Sequence, residues 1–248
     1  MEKIYKRGEN KMIFKYLYYG LFMAWIRIKG IGWNYLNKFK GKEAAWRFGQ
    51  GVFAQFSRVT IKVVGMDVHV QGKENIPEGT CVFMGNHQSL LDIPVLRNSA
   101  GRNVDFVAKK ELLKVPVIGY WILHMNSVAL DRDNPREGII AINKAVENVK
   151  DGYTYAIFPE GTRSKDGKVH EFKRGSGKVA TKPKVPIVPF YIKGTSACFE
   201  DNKKVTPGKV YIVFGEPIET ENLTKDEEKN ITNIVYEKVI SLEKQIES

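Results

Sequence analysis

The stretch Cys81-Val-Phe-Met-Gly-Asn-His-Gln-Ser-Leu-Leu-Asp-Ile-Pro94 decides how this chain is read. Cys81 to Met84 form an apolar, strand-like run that stops at Gly85. A polar turn follows, and an apolar helical pattern resumes over residues 90–96. That order places Asn86, His87 and Gln88 on the loop where a buried strand gives way to a helix. In open α/β sheets, ligands sit at the carboxyl ends of strands. His87 and Asp92 are the pair of interest on this loop. An imidazole takes a proton from a hydroxyl near neutral pH when its tautomer is fixed and its cation stabilised. A carboxylate on the other ring nitrogen does both. The same residues have a plainer reading: Ser89-Leu-Leu-Asp92 is a capping box, with Ser89 as N-cap and Asp92 at the third helical position. His87 is then an ordinary loop residue.

Working outward, the texture from Thr60 onward alternates strands and helices. Residues 61–64 and 68–71 alternate like strands and meet at Gly65-Met-Asp67, which predicts a hairpin. Strand 81–84 follows, then helix 90–98, strand 104–108, a short helix near 112–123, strand 127–130 and helix 135–150. Strands 153–158, 187–191 and 210–214 come next, and an amphipathic helix over 225–247 closes the chain. The pattern predicts an α/β fold with one mixed, largely parallel sheet covered by helices. The long connection 159–175 stands out among otherwise short loops.

Ahead of this domain, residues 12–28 are rich in Tyr, Phe, Leu, Met and Trp, but Lys15 interrupts them and Arg27 and Lys29 close them. A spanning helix needs roughly 20 apolar residues, and this stretch is shorter. No small-residue cleavage site follows it, which argues against a secretory signal. Gly30–Gly32 is expected to break the helix. A second candidate, residues 43–58, sets Ala44, Ala45, Phe48, Val52, Phe53 and Phe56 against Arg47, Gln50, Gln55 and Arg58. Two adjacent aromatic-rich helices flanked by Lys and Arg predict an interfacial anchor; the plainer reading is a helical hairpin packed on the domain. The domain division is placed at 1–59 and 60–248.

The 248 residues are long enough for a full core, and 43% hydrophobic with 27% charged is the composition of a folded, water-facing protein. With 39 Lys+Arg against 28 Asp+Glu, the formal net charge is +11. Such a surface attracts polyanions without distinguishing nucleic acid, anionic lipid or a phosphorylated substrate. No nucleic-acid recognition motif is visible, so nucleic acid is not an expected partner. A basic membrane adaptor would explain the charge but leave His87 with Asp92 unexplained. Cys81 and Cys198 give no disulfide framework, and no two of the four histidines have zinc-ligand spacing.

Three further strand ends carry chemistry. The loop Phe158-Pro-Glu-Gly-Thr-Arg-Ser164 offers Gly161 for close backbone approach, hydroxyls at Thr162 and Ser164, and the planar fork of Arg163 for a phosphate. Downstream, Phe172-Lys-Arg-Gly-Ser-Gly-Lys178 adds Lys173, Arg174 and Lys178, which read equally as phosphate contacts or as solvated charge. This is not a Walker loop, because Val179 stands where Ser or Thr should be. Strand 104–108 ends in Lys109-Lys110 and strand 127–130 in Asp131-Arg132. Together these predict a basic rim around one histidine, a pocket for a phosphorylated alcohol.

Four blocks occur in order: Asn86-His87-Gln-Ser-Leu-Leu-Asp92, Ser127-Val-Ala-Leu-Asp131-Arg132, Phe158-Pro-Glu-Gly-Thr-Arg163-Ser164 and Val185-Pro-Ile-Val-Pro-Phe190. Together they resemble the glycerolipid acyltransferase family, its bacterial 1-acylglycerol-3-phosphate acyltransferases most of all. The second block departs mildly, beginning with Ser where the family often has glycine. The resemblance implies acyl transfer from a thioester, acyl carrier protein or coenzyme A, to the sn-2 hydroxyl of lysophosphatidate, giving phosphatidate for phospholipid synthesis. His87 would be the base and Asp92 its orienting partner. Arg163, with Lys109 or Lys110, would hold the acceptor phosphate, with Gly161 and Thr162 in the same site and Glu160 orienting Arg163 or the glycerol. No metal or cofactor is called for. The implied location is the cytoplasmic face of the cell membrane, as a monotopic enzyme. An acyltransferase for glycerol 3-phosphate or another lyso-lipid is the nearest alternative.

Overall fold

The computed structural model describes residues 2–131, 134–201 and 203–247. Two long helices come first, α1 (Glu2–Phe39) and α2 (Lys42–Val64). The domain proper then runs β1 (Met66–Gln71), β2 (Val82–Gly85), α3 (Asp92–Ala100), β3 (Asp105–Lys109), α4 (Pro116–His124), β4 (Val128–Leu130), α5 (Pro135–Lys150) and β5 (Tyr155–Ile157). It continues with α6 (Lys178–Thr181), β6 (Ile187–Lys193), α7 (Thr195–Cys198), β7 (Gly208–Phe214) and α8 (Lys225–Glu247). The strands form one seven-stranded sheet in the order β1-β7-β6-β2-β5-β3-β4. Every pairing is parallel except β6 with β7. The expected mixed, largely parallel sheet is therefore present.

Its two faces are separated by the strand period of two. In β2, Val82 and Met84 join the core beneath α5 and α8, while Phe83, with Cys81 just ahead of the strand, joins the core beneath α2 and α3. β6 divides the same way, with Ile187 and Tyr191 on one side and Val188, Phe190 and Ile192 on the other. The closing helix α8 buries Ile231, Val235, Val239 and Leu242 at helical spacing. Burying each such side chain stabilises by roughly 1.5–3 kcal/mol, which outweighs the polar character of the rest of the helix.

Residues 61–64 are not a strand. They form the last turn of α2, which ends when Gly65 takes a left-handed conformation and donates its N–H to the Ile61 carbonyl. β1 consequently begins at Met66 and pairs in parallel with β7, so the expected hairpin does not exist. Burial of Val64 against the sheet core holds this β-branched run helical, a tertiary effect that local pattern does not contain. The 59/60 division falls inside α2. Gly30 and Gly32 do not break α1 either. A Cβ at Gly30 would stand 2.6 Å from the Tyr120 ring, and one at Gly32 3.3 Å from Phe48. These glycines serve close packing: Tyr120 on α4 donates its hydroxyl to the Gly30 carbonyl at 3.0 Å. The helix expected near 112–123 divides into a 3-10 turn, Lys110–Lys114, and α4, because Pro116 starts a new helix.

Because β2, β3, β5 and β6 run parallel, their carboxyl ends emerge on one rim. The loops carrying His87, Lys109, Glu160 to Ser164, and Thr195 therefore share an edge of the sheet.

Candidate active site

His87 leaves β2 on a loop pinned from three directions. Asn86 fastens the loop's start to β6, its side-chain amide donating to the Ile192 carbonyl and accepting from the Ile192 N–H, both at 2.8 Å. His87 itself donates its backbone N–H to Glu160 Oε1 and accepts from the Ser164 N–H on its carbonyl, again at 2.8 Å each. Its ring stacks on Phe158 at 4.0 Å between centroids. An imidazole gripped by both backbone polar groups and one ring face has a single orientation.

That orientation brings Nδ1 to 2.7 Å from Asp92 Oδ2. The same oxygen accepts the backbone N–H groups of Gln88 at 2.7 Å and Ser89 at 2.9 Å, while Oδ1 accepts the Thr195 hydroxyl. A carboxylate oxygen already taking two N–H donors can only accept, so Nδ1 carries the ring proton and Nε2 presents its lone pair. Both side chains are buried. The capping reading survives in part: Asp92 does accept from Ser89 N–H, but α3 starts at Asp92 with Leu91 as N-cap, and the Ser89 hydroxyl turns to Leu91 N–H and Glu200. One carboxylate therefore fixes both the loop and the histidine tautomer.

Glu160 is also buried, and burial raises its pKa against the opposing pull of two backbone donors. Those donors are the amides of His87 and His170. Both carboxylate oxygens are thus occupied with shaping the loop, and neither reaches Arg163 as sequence reasoning suggested. Arg163 instead donates from Nη1 to Glu200 Oε1 at 2.8 Å, and Glu200 also accepts from Leu90 N–H and the Ser89 hydroxyl. Gly161 adopts φ +72°, a left-handed backbone that favours glycine, and Thr162 beside it is exposed. The basic rim is largely neutralised. Lys109 pairs with Glu111 at 2.9 Å, and Lys110 with Glu137 at 2.9 Å and Asp131 at 3.4 Å. Arg132 lies outside the described residues.

Beside the His87–Asp92 loop opens an apolar cavity of about 450 Å³. Leu91 and Pro94 wall it on the loop side, Phe106 from β3, Val117 and Trp121 from α4, and Phe53 from α2. Its far wall includes Asp105, whose burial pushes its carboxyl up to about 7 even though Trp46 Nε1 donates to it at 3.0 Å. Thr195, Glu200, Phe158 and Asp105 were not singled out from sequence. Thr195 follows a strand end, which is a usable signal, but its adjacency to Asp92 depends on strand order.

A histidine with its tautomer fixed by a carboxylate, at the rim of a parallel sheet and next to an apolar slot, defines a site for activating a hydroxyl beside a greasy ligand. Residues 67–193 match the sequence model of the acyltransferase family, about half of the chain, and the chain belongs to that family. A chloroplastic 1-acyl-sn-glycerol-3-phosphate acyltransferase from Brassica napus is 38% identical over 60% of this chain and 44% of its own length. The 1-acyl-sn-glycerol-3-phosphate acyltransferase of Saccharomyces cerevisiae is 34% identical over 77% of this chain and 64% of its own. The chain thus spans about half to two thirds of these relatives. The crystal structure of the 1-acyl-sn-glycerophosphate acyltransferase PlsC from Thermotoga maritima superposes with a TM-score of 0.79 at 31% identity, covering 99% of this chain and 98% of that one.

Proposed function

We propose that this chain transfers an acyl group from a thioester, carried by acyl carrier protein or coenzyme A, to the sn-2 hydroxyl of lysophosphatidate, giving phosphatidate for phospholipid synthesis. The observation that carries the reading is the His87–Asp92 pair on a loop whose Leu90 and Leu91 line an apolar cavity of about 450 Å³. That volume lies within the range of roughly 300–1,000 Å³ expected of small-ligand pockets, and its lining suits a hydrocarbon chain. Nε2 takes the hydroxyl proton as the oxygen attacks the thioester carbon, and Asp92 stabilises the imidazolium. Collapse of the tetrahedral intermediate breaks the carbon–sulfur bond, and the imidazolium returns its proton to the departing thiolate. The products are an ester and a free thiol. Direct transfer is favoured because both cysteines are buried and burial raises the Cys81 thiol to about 11, which disfavours a covalent acyl-cysteine. Arg163 meets the acceptor phosphate by exchanging Glu200 for it.

The site works at the membrane face, on the cytoplasmic side. Supporting this, α1 turns Phe14, Leu17, Leu21, Ile28 and Ile31 outward, all more than half exposed, on a chain of net charge +11. Among the described residues, no helix is long and apolar enough to cross a membrane. The hairpin then lies in the interface, and both termini are cleavable from the same side of sealed vesicles; cleavage from opposite sides refutes the monotopic placement. The activity is tested with the purified chain, acyl-carrier-protein and coenzyme A thioesters, and a panel of acceptors. Phosphatidate formation from lysophosphatidate is the expected dominant reaction. Faster acylation of glycerol 3-phosphate or of a lyso-lipid without the phosphomonoester overturns the acceptor assignment.

A further inference from the structure

The cations around His87 differ in whether their charge is already matched. Arg163 is held by Glu200, Lys109 by Glu111, and Lys110 by Glu137 and Asp131. A phosphate reaches any of these only by displacing a carboxylate. Lys173, like Arg174 and Lys178 beside it, has no acid within ion-pair distance among the described residues, and of the three it is Lys173 that lies against Gly161.

Its position is fixed in two ways. The Lys173 backbone donates to the Pro159 carbonyl at 3.0 Å and accepts from the Ser176 hydroxyl at 2.7 Å, so its Cα is held against the turn after β5. Its side chain then lies back across that turn. A Cβ placed on Gly161 would stand 2.8 Å from Lys173 Nζ, 3.0 Å from Cε and 3.3 Å from Cδ. Glycine at 161 therefore leaves the face that the lysine stem covers, and any other residue there would push the ammonium away. The turn beneath it is strapped to the catalytic histidine, through Glu160 to the His87 N–H and through Ser164 to the His87 carbonyl. Arg163 leaves the same turn two residues on.

We propose that Lys173 is a binding residue for the acceptor's phosphate, supplying an unneutralised ammonium on the Gly161 turn while Arg163 is drawn away from Glu200 to complete the site. The inference rests on the lysophosphatidate reading above and adds to it the residue that receives the phosphate without an exchange of partners. The carrying interaction is charge-assisted and open to solvent, which reduces its worth from that of a buried contact.

The test uses the full chain with acyl donor and lysophosphatidate. Lys173→Gln is expected to raise the acceptor KM about tenfold, with kcat and the donor KM unchanged, and Lys173→Arg to restore most of the affinity. Lys168→Gln, an exposed lysine on the same loop, controls for general attraction of an anionic lipid and should change nothing. An unchanged acceptor KM in Lys173→Gln overturns the proposal, as does an equal rise in Lys168→Gln. A fall in kcat alone overturns it too, since that is the signature of a distorted loop. If the unaltered protein does not acylate lysophosphatidate, it is the underlying functional reading that fails.

Discussion

Replacing Asp92 by Asn removes a charge while the shape of the site is kept. Three N–H donors converge on Oδ2, from His87, Gln88 and Ser89, while Oδ1 receives only the Thr195 hydroxyl. The asparagine oxygen therefore takes the Oδ2 place, where all three donors need an acceptor. Its NH2 faces Thr195, whose hydroxyl rotates from donating to accepting. Nδ1 of His87 keeps its proton and Nε2 its lone pair. What disappears is the negative charge opposite the imidazolium formed in the transition state. Two unit charges ~4 Å apart at an effective dielectric of ~20 interact by about 4 kcal/mol. At about 1.36 kcal/mol per decade, kcat should fall roughly 1,000-fold. Steady-state kinetics at saturating donor and acceptor measure the fall. A thermal melt checks the fold, which should shift by no more than about 1 kcal/mol because every hydrogen bond has a replacement. Near-normal kcat with an unchanged melt would mean that Asp92 only caps the loop, and the base–carboxylate mechanism would be wrong.

Arg163→Ala should raise the acceptor KM about tenfold and leave the donor KM alone; Arg163→Lys should recover only part, because an ammonium lacks the planar fork. Equal effects on both substrates would take Arg163 out of the phosphate site. Ala108→Leu, on the wall of the apolar cavity, should shift the preferred donor toward shorter acyl chains without changing the acceptor KM, and an unaltered product chain profile counts against the cavity as the acyl site. Asp105 has its pKa raised by burial to about 7, so the folded state holds a proton that the unfolded state releases near 3.8. Stability should therefore fall by a few kcal/mol as pH rises from about 4 to 7, and Asp105→Asn should flatten that slope in urea melts at pH 5 and pH 8. A slope unchanged in the variant assigns it to other groups.

The glycines show where local reasoning stops. Gly30 and Gly32 read as helix breakers, since glycine lowers helix propensity; in the structure they admit Tyr120 and Phe48. Residues 61–64 read as a strand because they alternate like one, and burial of Val64 against the sheet core makes them helix. The rim cations read as a basic pocket because each follows a strand. Glu111 stands two residues from its partner Lys109, but Glu200, Asp131 and Glu137 meet Arg163 and Lys110 only in three dimensions.

By itself the sequence determined the alternation of strand and helix from β2 onward, because the periods of two and 3.6 are written in consecutive residues. It also put His87 and Asp92 within reach of each other, five positions apart where a strand gives way to a helix, with the capping box as the alternative that the structure then weighed. Tertiary structure alone decided what surrounds that pair. Thr195 meets Asp92 and Glu160 grips the His87 loop because β6, β2 and β5 are neighbours in the sheet, and Lys173 covers Gly161 because their shared loop folds back onto Pro159. Strand order is set by the total burial of two cores, and no short stretch of residues encodes that sum.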